Sequence, residues 1–263
     1  MVQRSRGFSL GKCKKDIDFF EKFERKVEMK LNVCYLEMVE YEDALHLQER
    51  LHKLRVANEL EDTLLLLQHP PVITIGRRGK WENILISKEK LLQMGVKVFE
   101  VTRGGDVTYH GPGQIVGYPI FDLGTVGKDI KRFVWLLEEV FINLLKDEYG
   151  IEAYRDEKQY TGVWVGGEKI VAIGIAVKKW ITMHGFAFNV NTNLEHFSWI
   201  IPCGLKDRGV TSLEKLLGHK VEFDDVVYKV AKYFGKVFGA KFRFISKEDL
   251  EEIIKIKVED SER

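Results

Sequence analysis

The chain has 263 residues, 45% of them hydrophobic, enough to bury a full core as one large domain or two small ones. Its 41 basic residues against 40 acidic ones leave a formal charge of +1, which excludes the overall field of a nucleic-acid or membrane-surface binder and confines any basic site to a local one. Cys13, Cys34 and Cys203 form no CxxC pair and no metal-ligand spacing, no run approaches the roughly 18 apolar residues of a membrane span, and charges interrupt the place of a signal peptide's apolar run; a cytoplasmic protein is expected, with neither nucleic acid nor membrane as partner.

The first thirty residues begin basic and run on as IDFFEKFERKVEMKL, in which Ile17, Phe20, Phe23, Val27 and Leu31 recur near helical spacing. An extension over 1–30, partly helical or disordered, is expected ahead of a single domain over 31–263. LNVCYLEMV reads as a strand, YEDALHLQERLHKLRVANEL as a long amphipathic helix, and TLLLLQH as a buried strand stopped by Pro70 and Pro71. KEKLLQMG reads as a helix closed by Gly95, and VKVFEVT as a strand that delivers the chain to Arg103. QIVGYPIFDL resumes as a strand, after which Ile130, Phe133, Val134, Leu137, Phe141, Leu144 and Leu145 trace one face of a helix ending at Gly150. The stretch from Thr161 to Asn191 predicts an antiparallel meander, broken at Gly166-Gly167 and again near Met183 to Gly185. TSLEKLLG, DDVVYKVAKYFGKVFG and KEDLEEIIKIKVE close the chain as helices that could form a small lobe. Strands and helices that do not alternate throughout give an expected fold class of α+β, not a doubly wound sheet.

RGGDVTYHGPGQ, Arg103 to Gln114, is built for something other than packing. Its four glycines remove side chains where a ligand or another backbone comes close and leave peptide N–H groups free. No Gly-Lys-Ser/Thr follows, and a strand comes next instead of a helix, so neither a Walker loop nor a dinucleotide fingerprint is present. A tight turn between strands is the plain reading; Arg103 and His110 favour a ligand loop. Gly76-Arg77-Arg78-Gly79 is a short basic turn, either a solvated loop or a seat for a phosphate-bearing ligand.

Cys203 lies between Pro202 and Gly204, on a turn that keeps it from being sealed in a core, whereas Cys34 falls in a strand pattern and Cys13 in the polar extension. A thiol with a pKa of about 8.5 needs a neighbouring cation to become a nucleophile. Lys169, His110 and His184 are candidates, and spacing does not choose among them. The histidines lack the close pairing of a metal site, so no metal is expected.

Together these stretches resemble one family, the octanoyl (lipoyl) transferases, which move an octanoyl chain from acyl carrier protein to lipoyl-dependent enzymes. The residues that carry the resemblance are RGGDVTYHGPGQIVGY at 103–118, HPPVITIGRRG at 69–79, GVWVGGEKIVAIG, HGFAFNVN, and IIPCG followed by TSLE, in that family's order over about 31–217. The extension before Leu31 is outside the pattern, and the helices beyond Leu217 match it loosely.

The resemblance implies a mixed β-sheet flanked by helices, as in the biotin and lipoate protein ligase catalytic domains. It implies that Cys203 forms the acyl thioester and that Lys169 lowers its pKa. Substrate contacts fall on Arg103, Gly104, Gly105, Asp106, Val107, Thr108, Tyr109 and His110, on Ala172, Ile173 and Gly174, and on Gly185, Phe186 and Ala187. The implied donor is octanoyl-acyl carrier protein, and the implied acceptors are lipoyl domains of 2-oxoacid dehydrogenases and the glycine cleavage H protein, with no cofactor. An apolar acyl channel is expected. The rival expectations are an ATP-dependent lipoate or biotin ligase on the same fold, and a non-catalytic module that binds acyl carrier or lipoyl domains.

Overall fold

The run Leu64-Leu65-Leu66-Leu67 sets the architecture, because four consecutive leucines on a strand can all be buried only if both faces of the sheet are covered. In the computed structural model, which describes residues 29–156, 160–201 and 208–261, they are covered. Leu64 and Leu66 join one core with Phe133, Leu137, Phe141, Val230 and Phe234. Leu65 and Leu67 join a second core on the opposite face with Ala44, Leu51, Leu54, Leu250 and Ile254.

The strands are β1 Met29–Met38, β2 Asp62–Gln68, β3 Val72–Ile75, β4 Lys97–Glu100, β5 Val107–His110, β6 Gln114–Ile120, β7 Tyr154–Arg155, β8 Gly162–Val165, β9 Glu168–Lys178, β10 Ile181–Asn189 and β11 Ala240–Phe244. Eight of them form one mixed sheet in the order β11-β1-β2-β6-β10-β9-β8-β7, parallel across β11, β1 and β2 and antiparallel beyond. A three-stranded sheet, β4-β3-β5, has its own small core of Ile73, Ile75, Leu91, Val107 and Tyr109 with Phe197 and Ile200.

The helices are α1 Tyr41–Val56, α2 Lys88–Gln93, α3 Ile130–Tyr149, α4 Leu213–Leu217, α5 Phe223–Phe238 and α6 Lys247–Ser261. α3 begins where the Asp129 side chain accepts the Arg132 N–H and stops at Gly150, whose φ of 65° suits a residue without a Cβ. Each large apolar side chain that α3 and α5 bury against the sheet contributes about 1.5–3 kcal/mol.

Three expectations need correction. Met29 to Leu31 are strand, paired with Ala240 to Phe242, and not the end of a helix; the rest of the proposed extension lies outside the described residues. The meander does not break near Met183 to Gly185: β10 is continuous, and the turn is Lys179-Trp180, with φ of 52° and 65° at its two residues. Gly185 is there for close approach, since a Cβ would lie 2.1 Å from the Gly117 carbonyl oxygen. The C-terminal helices are not a lobe apart: α5 shares the α3 core, α6 shares the α1 core, and β11 between them extends the main sheet.

Candidate active site

The glycine segment folds back on the main sheet. Gly104 N–H donates to the Ile175 carbonyl at 2.9 Å, and a Cβ on Gly174 would come within 2.8 Å of the Gly104 carbonyl, so glycine at 174 lets the backbones meet. Residues 107–110 of the expected loop are a strand, β5, paired with β3. Between this segment and strands β6, β9 and β10 lies a cavity of about 530 Å³.

Arg103, Gly104, Gly105, Asp106, Val107, Thr108 and His110 line it from the loop side; Ala172, Ile173, Gly174, Gly185, Phe186 and Ala187 line it from the sheet, and Lys169 stands on the same wall. Tyr109 does not line it. Strand alternation turns that ring the other way, against Phe197 and Trp199, where its hydroxyl is 2.6 Å from His196 Nδ1. Arg103 is buried and spends donors on structure: Nε and Nη2 reach Thr74 Oγ1 at 3.2 and 2.9 Å, Nη2 the Thr74 carbonyl at 2.7 Å, and Nη1 the Gly104 carbonyl at 3.0 Å.

Part of the wall is a cluster of polar rings, Tyr41, His110, Tyr118 and His184, where an apolar channel was expected. Hydrogen bonds fix the proton positions of His110 and Tyr118. The Thr211 carbonyl can only accept, so Asn189 Nδ2 donates to it at 3.0 Å, and Asn189 Oδ1 accepts from Gln114 Nε2 at 2.9 Å. Gln114 Oε1 therefore faces His110 Nδ1 at 2.8 Å, and His110 carries its proton on Nδ1. His69 is fixed likewise: Nδ1 donates to the Val39 carbonyl at 2.6 Å, so Nε2 accepts from the Tyr118 hydroxyl at 2.7 Å.

Burial keeps these rings neutral. It pushes the His110 imidazole down to about 3, with the His69 ring and the Arg103 charge adding to the effect. It holds His69 at about 4, and His184 at about 4 with help from Arg103 and Arg77. Burial also raises Tyr41 to about 12 and Tyr118 further. His110 and His184 are thus neutral hydrogen-bonding groups at pH 7, not the cation a thiolate requires.

Lys169 is half-buried. Its Nζ donates to the Thr161 carbonyl at 3.2 Å and sits 4.8 Å from the Trp164 ring centre. Its N–H donates to the Gly209 carbonyl and its carbonyl accepts the Thr211 N–H, both at 3.0 Å. Cys203 lies outside the described residues. The described chain before it ends at Ile201, whose N–H donates to the Asn83 carbonyl at 2.8 Å. Cys34 is buried on β1, and burial pushes its thiol up to about 11, so it stays an inert thiol.

Residues 40–235 match the family described as the lipoyl protein ligase A/B catalytic domain. The chain belongs to this family. It is 70% identical over 228 residues to an octanoyltransferase of Caldicellulosiruptor bescii, covering 87% of this chain and 100% of that protein. It is 54% identical over 226 residues to an octanoyltransferase of Desulforamulus reducens, covering 86% and 99%. In fold it is similar to a bi-partite lipoate protein ligase from Thermoplasma acidophilum reported with its E2 lipoyl domain, with a TM-score of 0.66 at 18% identity over 86% of this chain and 91% of that one.

This member of the family uses residues to which the sequence reading gave no role. Tyr41, Gln114, Tyr118 and Asn189 line the neutral wall and His69 backs it, and four of the five sit inside the quoted motifs: His69 opens HPPVITIGRRG, Gln114 and Tyr118 lie in RGGDVTYHGPGQIVGY, and Asn189 lies in HGFAFNVN. Among the described residues no helix is long and apolar enough to cross a membrane, and no group of three or more His, Cys, Asp and Glu side chains is placed to hold a metal.

Proposed function

We propose that the chain is an octanoyltransferase of protein lipoylation that takes its octanoyl group from octanoyl-acyl carrier protein, carries it as a thioester on Cys203, and delivers it to lipoyl-domain lysines. The acyltransferase activity follows from the family and from relatives at 70% and 54% identity. The observation that carries the finer reading is the pinning of Lys169 by Gly209 and Thr211, which ties that lysine to the chain leading away from Cys203 beside a cavity of about 530 Å³.

In the first step the Cys203 thiolate attacks the donor's thioester carbon; a new C–S bond forms, the old one breaks, and the carrier thiolate leaves with the proton of the Lys169 ammonium. In the second, the acceptor lysine's amine attacks the octanoyl-enzyme thioester. A C–N bond forms, the C–S bond breaks, and Cys203 is regenerated. Lys169 as ammonium stabilises the thiolate and as amine takes the proton that the incoming lysine sheds. The first step exchanges one thioester for another and the second turns a thioester into an amide, so the sequence runs downhill without ATP.

Ala172, Ile173 and Phe186 hold the acyl chain: at about 0.8 kcal/mol per buried methylene, a chain of octanoyl length gains roughly 5 kcal/mol before ordering costs. The test is to incubate octanoyl-acyl carrier protein with a lipoyl domain and the protein, without ATP or magnesium. An octanoyl amide on the lipoyl-domain lysine is expected. Octanoylation that requires ATP and free octanoate would make this chain a ligase instead.

A further inference from the structure

The basic turn Gly76-Arg77-Arg78-Gly79 is not used by the chemistry above. Its backbone has no N–H left for a ligand. Gly76 N–H donates to the Asp106 carbonyl at 3.1 Å, Arg77 N–H to the Arg103 carbonyl at 3.0 Å, Arg78 N–H to the Gly105 carbonyl at 3.0 Å, and Gly79 N–H closes the turn on Gly76 at 2.8 Å. The glycines serve packing: a Cβ at 76 would lie 2.7 Å from Arg103 Nη1 and from the Gly105 carbonyl, and one at 79 would lie 2.7 Å from Ile75 Cγ2. The turn is thereby zipped onto the glycine segment and fixed in place.

What the turn presents is two exposed guanidinium groups. Neither guanidinium group makes a hydrogen bond or ion pair with the described residues, whereas those of Arg55, Arg155, Arg208 and Arg243 are all paired with carboxylates. The carboxylate of the adjoining segment, Asp106, is already taken by Asn83 Nδ2 at 2.8 and 2.9 Å and by the Val107 N–H at 2.7 Å. Arg78 lines the cavity, and the charge of Arg77 reaches far enough to disfavour a proton on His184. Just beyond the turn, the Asn83 carbonyl anchors Ile201, so the basic rim and the chain entering the Cys203 segment share one support.

We propose that Arg77 and Arg78 form a phosphate-binding site at the cavity mouth that holds the phosphate of the donor's phosphopantetheine arm; the proposal rests on the carrier-bound donor of the preceding reading. A carrier-bound thioester brings one anionic group on its arm, and a guanidinium fork matches phosphate oxygens with two parallel charge-assisted hydrogen bonds. Because the turn is held by its backbone, binding orders only the two side chains. Their exposure suits an arm that arrives on a protein surface and threads inwards.

The experiment compares octanoyl-phosphopantetheine with phosphate-free octanoyl-pantetheine as donors, for the wild-type protein and for a variant carrying Arg77→Ala and Arg78→Ala. Both side chains are exposed and unpaired, so the variant folds as the wild type does. We expect roughly a tenfold or larger loss of kcat/KM on the phosphate-bearing donor, as for charge-assisted contacts, and no change on the phosphate-free one. Equal losses on both donors, or no loss on either, would overturn the site. So would ATP-dependent octanoylation from free octanoate that the double substitution abolishes, which would assign the guanidinium groups to a nucleotide. If the wild-type protein transfers from neither donor, the transferase reading falls first and the phosphate site with it.

Discussion

The cavity's two ends use polar residues in opposite ways. At the buried wall, Tyr41, His69, His110, Tyr118 and His184 are kept neutral, and for His69 and His110 carbonyl acceptors dictate which nitrogen holds the proton. At the rim, Arg77 and Arg78 are exposed charges, and on the sheet wall Lys169 is half-buried against Thr161 and Trp164. The contrast teaches that burial sets the protonation of the rings inside the cavity, where the buried charge of Arg103 is held by Thr74 and Gly104, while Arg77 and Arg78 keep their charge where solvent and large substrates can reach it.

Acid should separate the two ends most strongly. His69, His110 and His184 have folded pKa values depressed to about 4, 3 and 4, below the unfolded value near 6.5. The unfolded chain then binds more protons over that interval, so stability is full above pH 6.5 and falls as pH drops towards 4. The slope is on the order of 1.4 kcal/mol per pH unit for each histidine. Against a typical total of about 5–15 kcal/mol, this predicts a large loss of stability between pH 6.5 and pH 4. Urea midpoints measured from pH 7 to 4 check it, and a flat profile would remove the neutral wall.

Lys169→Ala removes the cation of the sheet wall instead. Transfer should fall by about 10²–10⁴-fold, as for loss of a proton-transfer group, with the thermal midpoint little changed; a normal rate would remove Lys169 from the chemistry. Gly174→Ala forces a Cβ to 2.8 Å from the Gly104 carbonyl, and overpacking of this kind costs about 1–3 kcal/mol. It should lower both stability and activity by moving the glycine segment. Ala172→Phe should shorten the preferred acyl chain with little effect on folding, and unchanged chain selectivity would contradict Ala172 as a wall residue. Smallest is Lys215→Ala. Its bond to Glu168 at 2.8 Å joins two solvent-accessible groups, worth roughly 0–1 kcal/mol.

Much of the fold was legible because its signals are local. The α3 face from Phe133 to Leu145 and the Gly150 stop carry helical period and cap together, and the leucines of β2 announce a doubly covered sheet. The misplaced break in the meander arose because Lys179-Trp180 takes two left-handed residues without the usual Asn or Gly, while Gly185 imitates a turn. β11 was missed because Ala240–Phe244 is a short edge strand whose pairing with β1 spans the chain. In the site, Ala172, Ile173 and Gly174 could be named from their motif. The relay from Thr211 through Asn189 and Gln114 to His110 could not, since no periodicity links residues so far apart in sequence.

The most direct test of the central claim is the intact mass of the protein after mixing with octanoyl-acyl carrier protein and no acceptor, for wild type beside Cys203→Ala. A hydroxylamine-labile gain of one octanoyl group in the wild type, absent from the variant, is the predicted result. An adduct that persists in Cys203→Ala, or no adduct in a wild-type protein that still octanoylates a lipoyl domain, would contradict a thioester carried on that cysteine.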